Sequence, residues 1–259
     1  MEILLYILAG AGVGFAVGLT GVGGGSLMTP LLLMFGYPTH IAIGTDLIYA
    51  AATKAGGVIT HQKQKTVEWH LVFKLASGSI PASIATTFVL SRYFTNPEEY
   101  QHILLTTLGV MLILTSGVLL FKGKLQSLNR EPSRFTLYMR RHASVLTVFM
   151  GVILGICVTL SSVGAGAFGA AILLTLYPRL SSIKIIGTDI AHAVPLTLIA
   201  GLGHMHLGNV DFVLLGSLLV GSLPAIHLGT LLGRRLPDKI LQPILASVLM
   251  LIGIKYAFF

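Results

Sequence analysis

Ten apolar stretches joined by short polar loops run the length of this chain. They are Ile3–Leu19, a short Leu27–Phe35, Ile41–Ile59, His70–Val89 and Ile103–Phe121, then Ser144–Leu160, a short Ala165–Tyr177, Ile183–Leu202, Val210–Leu232 and Ile240–Phe258. A helix needs about 20 apolar residues to cross a bilayer, with roughly 17 to 25 tolerated. Eight of the stretches approach that length, and the second of each series is too short unless flanking residues extend it. Charged residues make up 10% of the 259 and hydrophobic residues 54%, with a mean hydropathy of +0.86. Soluble chains carry roughly a quarter of their residues as charges, because a water-facing surface must be solvated. Cys157, the only cysteine, leaves no internal disulfide to form. The pattern predicts an all-α polytopic membrane protein held in the lipid bilayer, with about eight to ten membrane segments.

The net charge of +8 matters less than where it sits. Between Lys122 and His142 lie Lys122, Lys124, Arg130, Arg134, Arg140 and Arg141 against the single acid Glu131. Short loops rich in Lys and Arg stay on the cytoplasmic side, so residues 122–143 read as a cytoplasmic basic linker between membrane regions 1–121 and 144–259. A nucleic-acid partner would need a folded basic face with groove-reading elements, and this loop offers none. With the linker inside, Tyr93–Gln101, holding Glu98 and Glu99 and no base, falls outside, and His61–Trp69 with Lys63 and Lys65 falls inside. Arg179–Lys184 and Arg234–Lys239 fall inside, and His204–Asn209 outside. Both termini are then non-cytoplasmic. The start, Met1-Glu2 running directly into apolar sequence, lacks the basic n-region of a signal peptide.

Internal repetition gives these loops a further meaning. At an offset of 143 residues Gly44-Thr45-Asp46 falls on Gly187-Thr188-Asp189, His61 on His204, and Gly78-Ser79-Ile80-Pro81-Ala82 on Gly221-Ser222-Leu223-Pro224-Ala225. Gly12, Gly21 and Gly23 fall on Gly155, Gly164 and Gly166, and nineteen of the 76 positions from Gly12 to Thr87 are identical without a gap. Equivalent loops carry opposite sidedness, so the expectation is two inverted-topology repeats. In secondary transporters that arrangement places a site near the membrane midplane between the repeats, often at interrupted helices.

Two glycine-rich blocks are the candidate interruptions. The first, Gly18–Pro30, packs Gly18, Gly21, Gly23, Gly24 and Gly25 into eight residues, and its counterpart is Ser161–Gly169. Each glycine costs a helix about 1 kcal/mol against Ala, so each block reads as the tip of a broken or re-entrant hairpin. Short helices following the tips would aim free N–H groups at a small anion, with hydroxyls of Thr20, Ser26, Ser161 and Ser162 as further donors. Gly21, Gly23, Gly24, Gly25, Gly164 and Gly166 would allow the close approach. The competing reading is helix packing, favoured for Gly10, Gly14, Gly18, Gly151 and Gly155.

Asp46 and Asp189 sit within apolar stretches, where an ionisable group is a functional candidate by default. With Thr45, Thr188 and His192 they form a candidate coupling or gating set for H⁺ or Na⁺; helix capping or contacts between repeats are the structural alternative. Lys54, equivalent to Thr197, either attracts an anion or snorkels to the cytoplasmic edge, the edge being favoured. His204-Met205-His206 with His192 upstream suggests a histidine-using metal ion transporter, but a zinc site needs three or four converging ligands. His61 and His204 read better as interfacial residues. No HExxH, GxSxG or Walker sequence points to an enzyme, and nothing requires a cofactor or a bound metal.

The run GVGFAVGLTGVGGGSLMTPLLL followed by IAIGTDL, repeated more weakly as VGAGAFGAAILL followed by IGTDI, resembles the sulfite exporter TauE/SafE family of membrane transporters. The resemblance extends over nearly the whole chain. It implies a polytopic transporter of the bacterial or archaeal inner membrane, handling sulfite, thiosulfate or organosulfonates. Gly21, Gly23, Gly24, Gly25 and Pro30 match the first block, and Gly44 and Thr45 the second. Ala165, Ala167 and Phe168 interrupt the second glycine block, so the two sites implied are chemically unequal.

Overall fold

Helices account for the apolar stretches one for one. The computed structural model describes residues 2–20, 25–94, 96–127, 134–233 and 238–258. Among them are eleven helices and no strand. They are α1 (Glu2–Thr20), α2 (Gly25–Met34), α3 (Thr39–Lys63), α4 (Trp69–Tyr93), α5 (Pro97–Ser127), α6 (Arg134–Arg141), α7 (Ala143–Ser161), α8 (Ala167–Leu176), α9 (Ser182–His206), α10 (Phe212–Gly233) and α11 (Asp238–Phe258). Six of these, α1, α4, α5, α7, α9 and α10, are long and apolar enough to cross a membrane among the described residues. The short helices α2 and α8 have 10 residues each, about 15 Å at 1.5 Å per residue, half a bilayer core. Helix α6 was not foreseen in the basic linker: its Arg140 guanidinium donates to the Thr175 carbonyl near the end of α8 (3.2 Å).

The side chains are distributed inside out relative to a soluble protein. Phe73, Phe88, Val145 and Leu251 are each more than 60% exposed, whereas Asp46, Ser79, Ser83, Thr159 and His192 are fully buried. In water this would be unfavourable; against lipid it leaves apolar atoms outside and collects the polar groups where they can satisfy one another.

Lipid chains are as apolar as leucine, so the helices hold together by close packing of small residues. Helix α1 lies along α10, with Gly10 against Leu218, Gly14 against Ser222 and Gly18 against Ile226. Helix α7 lies along α4 in the same manner, with Gly151 against Leu75 and Gly155 against Ser79. Both pairs run parallel. Helices α5 and α11 run antiparallel, Gly109 meeting Ala257 while the Ser116 hydroxyl donates to the Ala246 carbonyl (2.6 Å). At the centre α3 and α9 are also antiparallel: Gly44 packs on His204 and Asn209, and Gly187 on His61 and Thr66.

These contacts correct one register. The bounds of α3 and α9 differ by 143 residues, whereas the glycines of α1 and α7 that make like contacts differ by 141: Gly10 and Gly151, and Gly14 and Gly155. Gly12, aligned with Gly155 by sequence, faces open space. The two-residue difference is absorbed in the connections on either side of α2 and α8, which begin at an offset of 142.

Candidate functional site

The interruption between α7 and α8 is built by residues 161–166. Helix α7 stops where Ser162 turns left-handed (φ 59°), its N–H still donating to Val158 O (2.8 Å). Gly164 (φ 124°) and Gly166 (φ 148°) continue through conformations that side chains resist. Gly169 N–H then donates to Gly164 O (3.1 Å) and Ala170 N–H to Gly166 O (3.0 Å), starting α8. Ser161 through Ala165 are buried, so irregular backbone is covered by protein, the condition for it to persist at membrane depth.

The serines of this turn are not alike. Ser161 donates to Cys157 O (2.6 Å) and accepts from Val163 N–H (3.2 Å), so its hydroxyl is engaged in making the turn. Ser162 is 2% exposed and its hydroxyl has no hydrogen-bond partner. Gly164 packs under Met111 of α5. The first turn of α8 faces a carboxylate of the protein itself: Asp189 Oδ1 lies against Gly169 and is buried without a hydrogen-bond partner.

Lys54 enters the same region from α3. Its Nζ donates to the Ala165 carbonyl at 3.1 Å, and it is 8% exposed. The edge position favoured by sequence is therefore wrong; the stem runs inward and the ammonium sits within electrostatic reach of Asp46, Asp189 and His192. Among the described residues it is the single buried Lys or Arg. Asp46, one face of α3 away, accepts a hydrogen bond from the Thr29 hydroxyl of α2 through Oδ2, while Oδ1 has no partner. Ser162 lies beside Asp46 but short of hydrogen-bond geometry.

His192 of α9 shares a hydrogen bond with Ser79 of α4 (Nε2 to Oγ, 2.8 Å) and leaves Nδ1 unpartnered. At the equivalent positions Tyr49 of α3 sits by Ser222 of α10, both hydroxyls buried and unpartnered. Six buried polar atoms on α3, α9, α10 and the turn have no hydrogen-bond partner: Asp46 Oδ1, Asp189 Oδ1, His192 Nδ1, and the hydroxyls of Tyr49, Ser162 and Ser222. Native interiors leave few such groups.

Thr45 and Thr188 lie further along the same helices and play a common part. Thr45 Oγ accepts from the Asp211 N–H (3.1 Å), and Thr188 Oγ accepts from the Glu68 N–H (3.0 Å) while donating to Lys184 O. Each ties its helix to the segment entering α10 or α4. His204 is fully buried rather than interfacial: Asn209 donates to Nδ1 (3.2 Å), so Nε2 carries the proton and donates to Thr159 O (2.8 Å). His61 is half-buried at the end of α3 beside Thr66, and His206 is exposed. Among the described residues no group of three His, Cys, Asp or Glu converges as a metal would require. Gly21, Gly23 and Gly24 lie outside the described residues, as do the side chains of Thr20, Gly25 and Ser26.

Sequence reasoning weighed Lys54 for an anion but favoured the edge, and it missed Thr29, Ser79 and Tyr49. A Lys on an otherwise apolar stretch, eight residues after Asp46, was the available signal for Lys54.

The sulfite exporter TauE/SafE family model matches residues 6–256. The chain belongs to the sulfite exporter TauE/SafE family. It is 39% identical over 249 residues to "Probable membrane transporter protein YjnA" of Bacillus subtilis strain 168, covering 96% of this chain and 97% of that one. It is 28% identical over 262 residues to "Probable membrane transporter protein YdhB" of the same organism, covering 96% and 100%. A "Probable membrane transporter protein" of Xylella fastidiosa strain 9a5c is 29% identical over 238 residues, 90% and 86% covered. No solved structure matches the chain. As a member of this transporter family with six apolar spanning helices, the chain is a multi-pass membrane protein.

Proposed function

We propose that this protein is a secondary transporter carrying a small sulfur-containing anion, namely sulfite, thiosulfate or an organosulfonate, across the inner membrane by alternating access with protons as coupling ion. One observation carries the reading: a buried lysine lies within electrostatic reach of two buried carboxylates, each with an unpartnered oxygen, where α3, α9 and the turn before α8 converge. The family match supports the anion class.

The scaffold is read as two inverted-topology repeats, residues 1–121 and 144–259, joined by a cytoplasmic linker at 122–143, with both termini non-cytoplasmic. Three relations support it. Helices α3 and α9 correspond residue for residue at an offset of 143 yet run antiparallel. The α1–α10 and α4–α7 packings exchange likewise, with α1 matching α7 at an offset of 141. So do the Thr45–Asp211 and Thr188–Glu68 hydrogen bonds. Related bundles of opposite orientation have two near-equivalent ways to rock about a central site, each open to one side. Both glycine-rich blocks, with Thr20, Ser26, Ser161 and Ser162, are read as hairpin tips near that site.

Uptake of labelled sulfite, thiosulfate and methanesulfonate into proteoliposomes, with and without a pH gradient, tests the reading. Saturable uptake above protein-free vesicles and stimulated by an inward proton gradient is expected. Movement of none of the three removes the substrate assignment.

A further inference from the structure

The charges of the polar centre do not balance, and the imbalance has a consequence. Lys54 carries one positive charge, and Asp46 and Asp189 can carry two negative ones. The other titratable group within electrostatic reach of the ammonium is His192 on α9, and Tyr49 on α3 lies within reach of Asp46. The remaining polar contributions come from Thr29 on α2, Ser79 on α4, Ser162 in the turn and Ser222 on α10. An isolated net charge in so apolar a setting is strongly disfavoured. An empty centre is neutral when the two carboxylates share one proton. A centre holding a monovalent anion is neutral when they hold two.

Lys54 is also placed to touch that anion. One of its three N–H groups donates to Ala165 O, leaving two for an oxyanion. The Ser162 hydroxyl is buried beside Asp46 without a hydrogen-bond partner, in the same turn whose Ala165 carbonyl takes the Lys54 hydrogen bond. The aspartates, by contrast, offer only acceptors when ionised and would repel an anion.

We propose that Lys54 and Ser162 bind the oxyanion group directly, and that each monovalent anion enters with one proton taken up by the Asp46–Asp189 pair. The cycle is then electroneutral: one anion and one proton arrive from the same side, and both leave on the other. This site rests on the sulfur-anion transport proposed above and replaces free backbone N–H groups with a lysine as the principal counter-charge.

The test uses the full-length protein in proteoliposomes with radiolabelled methanesulfonate, monovalent at every working pH, alongside sulfite. At a fixed pH gradient, a potassium–valinomycin potential is imposed. Wild-type accumulation is expected to be unmoved, whereas carrying one net charge against about 100 mV would change it roughly fiftyfold. Lys54→Met is expected to lose about tenfold or more of the uptake, with Lys54→Arg retaining part of it; size-exclusion profiles confirm that the variants fold. If Lys54→Met does not fold, the wild-type potential measurement decides alone. Potential-driven accumulation, or a folded Lys54→Met moving the anion at the wild-type rate, overturns this site while leaving sulfur-anion transport standing. Movement of neither anion by the wild type overturns this site, and failure of thiosulfate as well overturns both.

Discussion

Lys54 donates to the backbone carbonyl of Ala165, 111 residues away in sequence, and so pins the middle of α3 to the irregular turn that opens α8. Removing one partner of a buried charge-assisted hydrogen bond costs about 1.5–3 kcal/mol. The same contact therefore does two things: it holds the turn in place and keeps the ammonium within electrostatic reach of Asp46 and Asp189. Motion of α3 against the turn must carry the charge with it.

The two aspartates should be separable from structural residues by their effect on coupling. Asp46→Asn and Asp189→Asn each keep the shape of the side chain while removing a titratable site. Each is expected to fold and to lose most of the stimulation by an inward proton gradient, about tenfold, equivalent to roughly 1.4 kcal/mol. The measurement is initial uptake rate at several external pH values. A wild-type pH profile in both variants would assign them to structure alone.

Equivalent glycines should fail equally. A methyl added at Gly221 would overlap the Ile7 carbonyl, and one at Gly78 would overlap the Val148 carbonyl. Gly221→Ala and Gly78→Ala should each destabilise by about 1–3 kcal/mol through overpacking. Gly216, on the same helix as Gly221, has nothing within 4 Å, and Gly216→Ala should cost nothing. Thermal denaturation in detergent compares the three, and equal stability of Gly221→Ala and Gly216→Ala would contradict the packing described.

Much of this architecture was legible in the sequence. Because the lipid-facing and lipid-excluded segments differ so sharply in composition, each apolar stretch became a helix with ends shifted by only a few residues, α5 excepted. The GTD blocks located the α3–α9 axis, since an aspartate among apolar residues has few tolerable places to go. The direction of Lys54 was not legible, because a long apolar stem can reach either an edge or an interior and only the fold chooses. Nor was the register of α1 against α7. There the matching units are glycine contacts with another helix, invisible to a comparison of identities. His204 was misplaced for a similar reason: its partners Thr159 and Asn209 come from α7 and from beyond the end of α9.

Histidine variants discriminate a histidine-held metal from a lysine-held anion. With both ring nitrogens hydrogen-bonded in the interior, His204→Ala leaves Asn209 and Thr159 O short of a partner and should destabilise by about 1–3 kcal/mol. His206→Ala, at an exposed position, should change neither melting temperature nor flux. Chelators should leave uptake unaltered. Loss of flux in His206→Ala, restored by added zinc, would support metal transport instead.

The threonine ties test whether the two ends of the α3–α9 pair act alike. Thr45→Val and Thr188→Val each leave a backbone N–H, of Asp211 or Glu68, without its acceptor, costing about 1 kcal/mol. Similar losses of stability are expected from both. The Lys184–Glu68 ion pair (2.6 Å) exists at the second end only, and being partly exposed should add less than about 1 kcal/mol. Melting curves of the two single variants and Glu68→Gln measure the difference; a loss confined to one threonine would contradict the shared role.

Alternating access to one buried centre is tested most directly at Ser162. In a Cys157→Ala background, which removes the chain's only cysteine, Ser162→Cys places a thiol beside Asp46, in the turn that Lys54 holds. The thiol is probed with a membrane-impermeant reagent applied to right-side-out and to inverted vesicles. Labelling from either face, slowed by methanesulfonate in both, is the predicted result. Labelling from one face alone, or at a rate indifferent to the anion from both, would contradict a transport path through this centre.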